Sequence, residues 1–228
     1  MRRSRAATGF ELLEDRRLLA FDPLGTEFQL NTTTGGNQEN VAIGADGAGN
    51  FVTVWQGPNV YGHGTNEIYL QRFSAVGTPL GSEQQVNADW HGEQTDPAVA
   101  VASDGSFIVT RTAADAEAAG VYLRRFDATG VPATGDILVN TYTAGDQYGS
   151  AVAVSPTTGK FVVVWQSNGQ DGSSWGIYGQ QFGATGAKQG GEFSINTSTS
   201  GDQSNPAVAM DNAGDFVVAW RSDNDGSC

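Results

Sequence analysis

Four times along the chain an asparagine is followed five residues later by a glycine and seven residues later by a glutamine: Asn31, Gly36 and Gln38; Asn87, Gly92 and Gln94; Asn140, Gly145 and Gln147; Asn196, Gly201 and Gln203. The asparagines stand 56, 53 and 56 residues apart. An aromatic and β-branched run keeps the same period, at 51–56, 107–112, 161–166 (Phe-Val-Val-Val-Trp-Gln) and 216–222. Self-similarity at a period of about 50 residues means that one supersecondary unit is built repeatedly and buries its apolar faces against its neighbours. This constrains the fold more than any other feature.

Each unit holds four short runs with the length, alternation and branched or aromatic content of strands, separated by turn-formers. Around unit three they are 137–140, 151–154, 161–166 and 177–182. Tight hairpins follow from Asp46-Gly47-Ala48-Gly49, Asp104-Gly105, Thr157-Thr158-Gly159 and Asn212-Ala213-Gly214. The expectation is an all-β chain, a β-propeller-like array of four-stranded antiparallel blades. Its units are 26–80, 81–134, 135–190 and 191–228 within a repeat domain 21–228. Three blades are complete and the fourth lacks its last strand. The chain is then a fragment of a longer propeller whose open edges invite self-association, or the stretch 18–25 supplies the missing strand. A β-sandwich needs about seven strands per hundred residues and no fourfold period. The runs Ala98-Val99-Ala100-Val101 and Ala207-Val208-Ala209-Met210 demand close approach by a neighbour. Trp55, Trp165 and Trp220 read as core between blades, and Arg111 takes that place in unit two.

Charge is unevenly spread. Five of the 12 basic residues lie in the first 17 positions, and residues 18–228 carry 7 basic against 22 acidic side chains. Such a surface repels nucleic acid and anionic membranes. The single cysteine, Cys228, excludes an intrachain disulfide, and no apolar run is long enough to span a bilayer as a helix. Residues 1–20 start basic but lack the apolar centre of an ordinary signal peptide. Within them Leu13-Glu14-Asp15-Arg16-Arg17-Leu18-Leu19-Ala20 resembles a segment near the N-terminus of many planctomycete exported and surface proteins. That resemblance implies an export or sorting leader and an extracellular or cell-surface location.

No catalytic constellation is evident. His63 and His91 lie in loops of different units, and no His or Cys spacing suits zinc. A carboxylate pair for glycoside hydrolysis stays open, because two acids suffice and spacing in sequence does not give their separation. The stretch 167–175 resembles the Asp-box of sialidases in composition and departs from it in spacing, and no cluster of three arginines accompanies it. Calcium is the cofactor the loops suit best, since it takes carboxylate, amide and carbonyl oxygens; the candidate ligands are Asn168 and Asp171 in unit three, and Asp223 and Asp225 in unit four. Ordinary turn chemistry is the competing explanation for these residues.

Residues that break the repeat point to a binding rim. Trp90 stands where the other units have threonine, and Trp175 is likewise unique. With Tyr61, His91 and Tyr148 they lie in loops on one side of the array, where aromatic rings stack on sugars or anchor a partner protein; packing within the loops is the alternative. Residues 163–172 and 176–182 resemble a repeat found in large secreted or surface proteins of bacteria. The resemblance covers 26–228 and implies a non-enzymatic surface role. The expected function is therefore a non-catalytic extracellular domain that binds a glycan or a protein. The alternatives are a glycoside hydrolase-like propeller using a carboxylate pair, and a structural spacer.

Overall fold

The computed structural model describes residues 26–59, 65–89, 91–114 and 117–223, and all its regular structure is β-strand. The leader 1–20, the stretch 18–25, and Tyr61, His63, Trp90 and Asp225 lie outside those residues. Blade one is β1 (Glu39–Ala45), β2 (Phe51–Pro58), β3 (Asn66–Phe73) and β4 (Gln84–Gln85). Blade two is β5 (Thr95–Val101), β6 (Phe107–Ala114), β7 (Ala119–Phe126) and β8 (Ile137–Leu138). Blade three is β9 (Gln147–Val154), β10 (Phe161–Asn168), β11 (Trp175–Phe182) and β12 (Lys188–Ser194). The fourth sheet, among the described residues, pairs β13 (Gln203–Met210) with β14 (Phe216–Ser222). Every sheet runs antiparallel in chain order. The first strand of each blade is innermost: β1 lies beside β5, β5 beside β9, and β9 beside β13. This is the all-β, propeller-like architecture expected from the repeat.

The frame of the repeat differs from the one legible in the sequence. The run at 137–140 reads as the opening of a unit, yet Ile137 and Leu138 pair with Leu123 and Tyr122 as the outer strand of blade two. The displacement arises because the repeated Asn-x4-Gly-x-Gln stretch is a corner, carrying the chain from the outer edge of one blade to the innermost strand of the next. Its asparagine Oδ1 accepts from the third strand of the blade being left: from Ile68 N at 3.1 Å (Asn87), Val121 N at 2.8 Å (Asn140) and Ile177 N at 2.6 Å (Asn196). Asn140 and Asn196 donate to the motif glutamines Gln147 and Gln203, whose own amides donate to corner carbonyls. The four glycines have φ between +70° and +72°, a left-handed conformation that any side chain would strain. A carboxylate from the outer strand clasps the corner's amides: Glu83 with Thr32 and Thr33, Asp136 with Ala88 and Asp89, Glu192 with Thr141. Burial opposes ionisation of Glu83, but these hydrogen bonds outweigh it and hold its pKa below the usual carboxylate range.

Apolar clusters fill the spaces between blades. Small residues on the inner strands allow the approach: a Cβ on Gly44 would lie 3.0 Å from a Val101 methyl and 3.3 Å from the Val99 carbonyl oxygen. At one end of each complete blade two phenylalanines stack, Phe51 on Phe73, Phe107 on Phe126 and Phe161 on Phe182, with centroids 4.8 to 5.0 Å apart. Each buried ring contributes on the order of 2–3 kcal/mol through removal of apolar area from water. Trp55 and Trp165 are buried as expected, whereas Trp220 is 38% exposed because its sheet has no third strand among the described residues. The hairpin turns close as their sequences predict, with the Asp46 and Asp104 carboxylates accepting from the following turn residues.

Candidate functional site

At the start of every inner strand the pairing slips: between Glu39 and Ala42, Thr95 and Ala98, Tyr148 and Ala151, and Ser204 and Ala207. Each slip is a β-bulge, a device that re-aims side chains beside functional sites. The residue within it adopts left-handed backbone: Asn40 (φ 51°), Asp96 (φ 50°), Gly149 (φ 63°) and Asn205 (φ 53°). Asparagine, aspartate and glycine are the residues that tolerate this conformation. The four positions lie at the same end of four inner strands that neighbour one another in series. Asn40 Nδ2 donates to Gln56 Oε1 at 2.9 Å and to Asp96 Oδ1 at 3.5 Å, and Asp96 N donates to Gln56 Oε1 at 3.3 Å. Glu39 lies opposite Gln56 in the β1–β2 ladder, and Gln56 Oε1 accepts from the Asp96 backbone, so both acidic residues stand beside Gln56. A cavity of about 240 Å³ opens there, lined by Asn37, Glu39, Gln56, Pro58 and Asn66. Reasoning from sequence missed this set of bulges. Its signal was an Asn, Asp or Gly two residues after each motif glutamine.

Of the expected rim residues, two come together. Tyr148, which precedes the bulge residue Gly149, meets Trp175 edge to face with centroids 4.8 Å apart at 65°. Both are half-buried and sit at the bulged end of blade three. His91 instead points to solvent and bonds Asp89 through Nδ1 at 2.7 Å. Hydrogen bonds from the His91 amide and ring hold the Asp89 carboxyl below its ordinary pKa. Trp90 and Tyr61 lie outside the described residues.

The calcium candidates separate. Asp223 is ion-paired with Arg221 at 2.7 Å. Strand alternation places the Asn168 side chain on the opposite face of β10 from Ser167. Asp171 Oδ1 accepts from Ser173 N at 3.0 Å, while its Oδ2 is buried without a hydrogen-bond partner. Among the described residues no group of three or more His, Cys, Asp and Glu side chains converges, and no helix is long and apolar enough to cross a membrane.

No known protein family matches the chain, and no curated protein does. Solved structures match in fold. One is a protein of unknown function from Dyadobacter fermentans DSM 18053, with TM-score 0.60, 13% identity, and coverage of 83% of this chain and 63% of that one. Another is a Hadza microbial sialidase, with TM-score 0.54, 14% identity, and coverage of 82% and 44%. A third is a Penicillium chrysogenum α-L-arabinanase complexed with arabinobiose, with TM-score 0.51, 12% identity, and coverage of 78% and 55%. This chain therefore spans less than two thirds of each of them. At these identities the likeness establishes the fold. It also corrects the expectation of a non-enzyme, since a sialidase and an arabinanase are built on this architecture. Local sequence motifs do not decide the point, because glycoside hydrolysis needs only two acids brought together from separate strands.

Proposed function

We propose that this chain is a glycan-acting propeller of the glycoside-hydrolase type, working at the bulged end of its first two inner strands. The observation that carries the reading is the arrangement at those bulges: Asp96 and Glu39 stand beside Gln56, and Asn40 bridges Gln56 and Asp96. On the strand beside Asp96, the Tyr148–Trp175 pair offers a stacking surface for a sugar ring. In this reading one carboxyl group protonates the leaving glycosidic oxygen, and the other attacks the anomeric carbon or activates water. Asn40 holds the Asp96 carboxylate beside Gln56, which pairs with Glu39 across the β1–β2 ladder. The resemblance of 13–20 to an export segment makes an extracellular location part of the proposal, and secretion with loss of the leader is its check.

The test is release of reducing sugar from arabinan and from a sialylated glycan by the full chain, with binding followed by calorimetry. D96N and E39Q are expected to lower turnover by about 10²- to 10⁴-fold each while leaving binding in place, and W175A to weaken binding. Turnover that survives in the D96N/E39Q double variant defeats the assignment. Absence of both binding and release on these substrates defeats glycan action of these two classes.

A further inference from the structure

One rung of each blade lies next to the Asn-x4-Gly-x-Gln corners, and it is filled differently in each. In blade one Gly57 pairs with Glu67, which is fully buried and accepts from the side-chain amides of Asn59, Gln85 and Asn87. In blade two Ala113 pairs with Gly120, and the counter-charge to Asp136 comes from the buried guanidinium of Arg111 at 3.1 Å. In blade three Ser167 pairs with Gly176, and the place of Arg111 is taken by Trp165.

The acids remain in blade three although the cation is gone. Asp171 Oδ2 lies 2.8 Å from where a Cβ on Gly176 would stand, so the carboxylate occupies the side of the rung that Glu67 fills in blade one. Ser167, paired with Gly176, points to the same side, with its Cβ about 5 Å from that position. Ser167 is fully buried, and its Oγ has no hydrogen-bond partner. Gln170 donates Nε2 to Glu192 Oε1, which fixes its amide and leaves its buried Oε1 without a donor. Glu192 Oε2 is committed to Thr141 N and Oγ1. Tyr178 joins these groups: its pKa is raised by burial and by the charges of Asp171 and Glu192. Lys188, exposed on β12, is close enough to feel Glu192, but among the described residues no ion pair reaches Asp171 or Glu192.

Asp171 Oδ2, Gln170 Oε1 and Ser167 Oγ are thus buried without donors, and the Glu192 carboxylate, already bonded to Gln170 and Thr141, adds a second negative charge beside Tyr178. Leaving such groups unpaired is costly, and amide donors or a guanidinium relieve the cost in the other two blades. We infer that blade three binds a divalent cation, calcium by its all-oxygen donor set, between blades two and three through Asp171, Gln170, Ser167 and Glu192. The ion does there what Arg111 does in blade two. It uses none of the residues of the proposed glycan site and does not depend on that chemistry.

The experiment is thermal unfolding of the full chain in EGTA and in CaCl2, together with terbium luminescence excited through Trp165, Trp175 and Tyr178. Calcium at about a hundred times its Kd is expected to raise the Tm by roughly 5–10 °C, and terbium to give sensitised emission that calcium quenches. D171N is expected to lose both responses while melting above the wild type in EGTA, because its amide supplies a missing donor. S167A, which removes only a hydroxyl, keeps the readout available should D171N fold poorly, and is expected to weaken calcium about tenfold. D223N, whose carboxylate is already paired with Arg221, is expected to respond like the wild type. A wild type indifferent to calcium and dark with terbium overturns the inference. So does a calcium response unchanged in both D171N and S167A.

Discussion

In blade one the polar rung is acidic, with Glu67 held by Asn59, Gln85 and Asn87; in blade two it is basic, with Arg111 lying over the Tyr122 ring and held by Gln94 and Asp136. The two departures from the repeat are coupled through a single corner. In the later corners the asparagine amide donates to the motif glutamine. At Asn87 that glutamine, Gln94, has its Oε1 occupied by Arg111 Nε at 2.7 Å, and Asn87 turns its amide to Glu67 and to the Asp89 carbonyl. The tryptophan-to-arginine exchange in blade two thus frees a donor for the acid in blade one. A repeat protein can individualise its interfaces in linked pairs while leaving the backbone of the corner untouched.

The largest effect is expected from removing the basic member. R111M leaves Asp136 and Gln94 Oε1 without their partner in a region where the Arg111 side chain is only 2% exposed. A loss of about 3–5 kcal/mol is expected, read from the midpoint of urea unfolding at unchanged m-value. Burial lowers the pKa of Arg111 and the Asp136 charge works against it, so the residue remains the counter-ion that R111M removes. If R111M costs less than about 1 kcal/mol, the ion pair is not what fills the pocket.

Removing the acidic member is expected to cost less. E67A strands three side-chain amides, for about 1–3 kcal/mol. The coupling is sharpened by the double variant: the R111M and E67A costs are expected to depart from additivity by about 0.5–3 kcal/mol. Strict additivity would break the link through Gln94 and Asn87.

The corners allow a finer comparison. Gly92 and Gly145 share their left-handed φ, but a Cβ on Gly145 would stand 3.0 Å from the Asn168 carbonyl oxygen, whereas on Gly92 the nearest group is the Ala114 Cβ at 3.9 Å. G92A is expected to cost about 1–2 kcal/mol from backbone conformation alone, and G145A measurably more. Equal costs would mean that the blade-three corner yields freely.

The smallest effect is the dependence on acid. Asp46 and Asp104 have their pKa values lowered from 3.8, chiefly by hydrogen bonds from Asn50 and Ser106, and Glu83 has its value lowered from 4.5 by bonds from Thr32 and Thr33 that overcome burial. Groups with depressed folded-state values contribute stability above their unfolded values and lose it as pH falls through the folded ones. Stability is therefore expected to hold flat with respect to these groups from neutral pH to about 5 and to decline below about 4. N50A, which removes the largest cause for Asp46, is expected to make that decline shallower. An unchanged acid limb in N50A would exclude this turn as a contributor.

The all-β class, the fourfold period, the hairpins and the buried tryptophans of blades one and three were legible because each rests on alternation, spacing or turn chemistry within a few residues. The Asn-x4-Gly-x-Gln corner was legible as a pattern, and its positive-φ glycine follows from local sterics. The fate of the loops was not. Asn168 pairs with Trp175 in the ladder, while Asp171, three residues on, reaches the rung of Ser167 and Gly176 and acts on Tyr178 together with Glu192, 21 residues further on.

What the sequence determined by itself is the blade and its repetition, since strand length, turn type and a left-handed corner are set by short-range sterics and hydrophobic pattern. Only the tertiary structure decided which blade owns the outer strand, which residues meet at the bulges of the inner strands, and which rung holds a guanidinium, a set of amides or unmatched oxygens. Those outcomes depend on neighbours about 40 to 56 residues away, as in the contacts of Gln56 with Asp96 and of Asn40 with Asp96. No local rule fixes such distances, because they are set by how one blade stacks on the next.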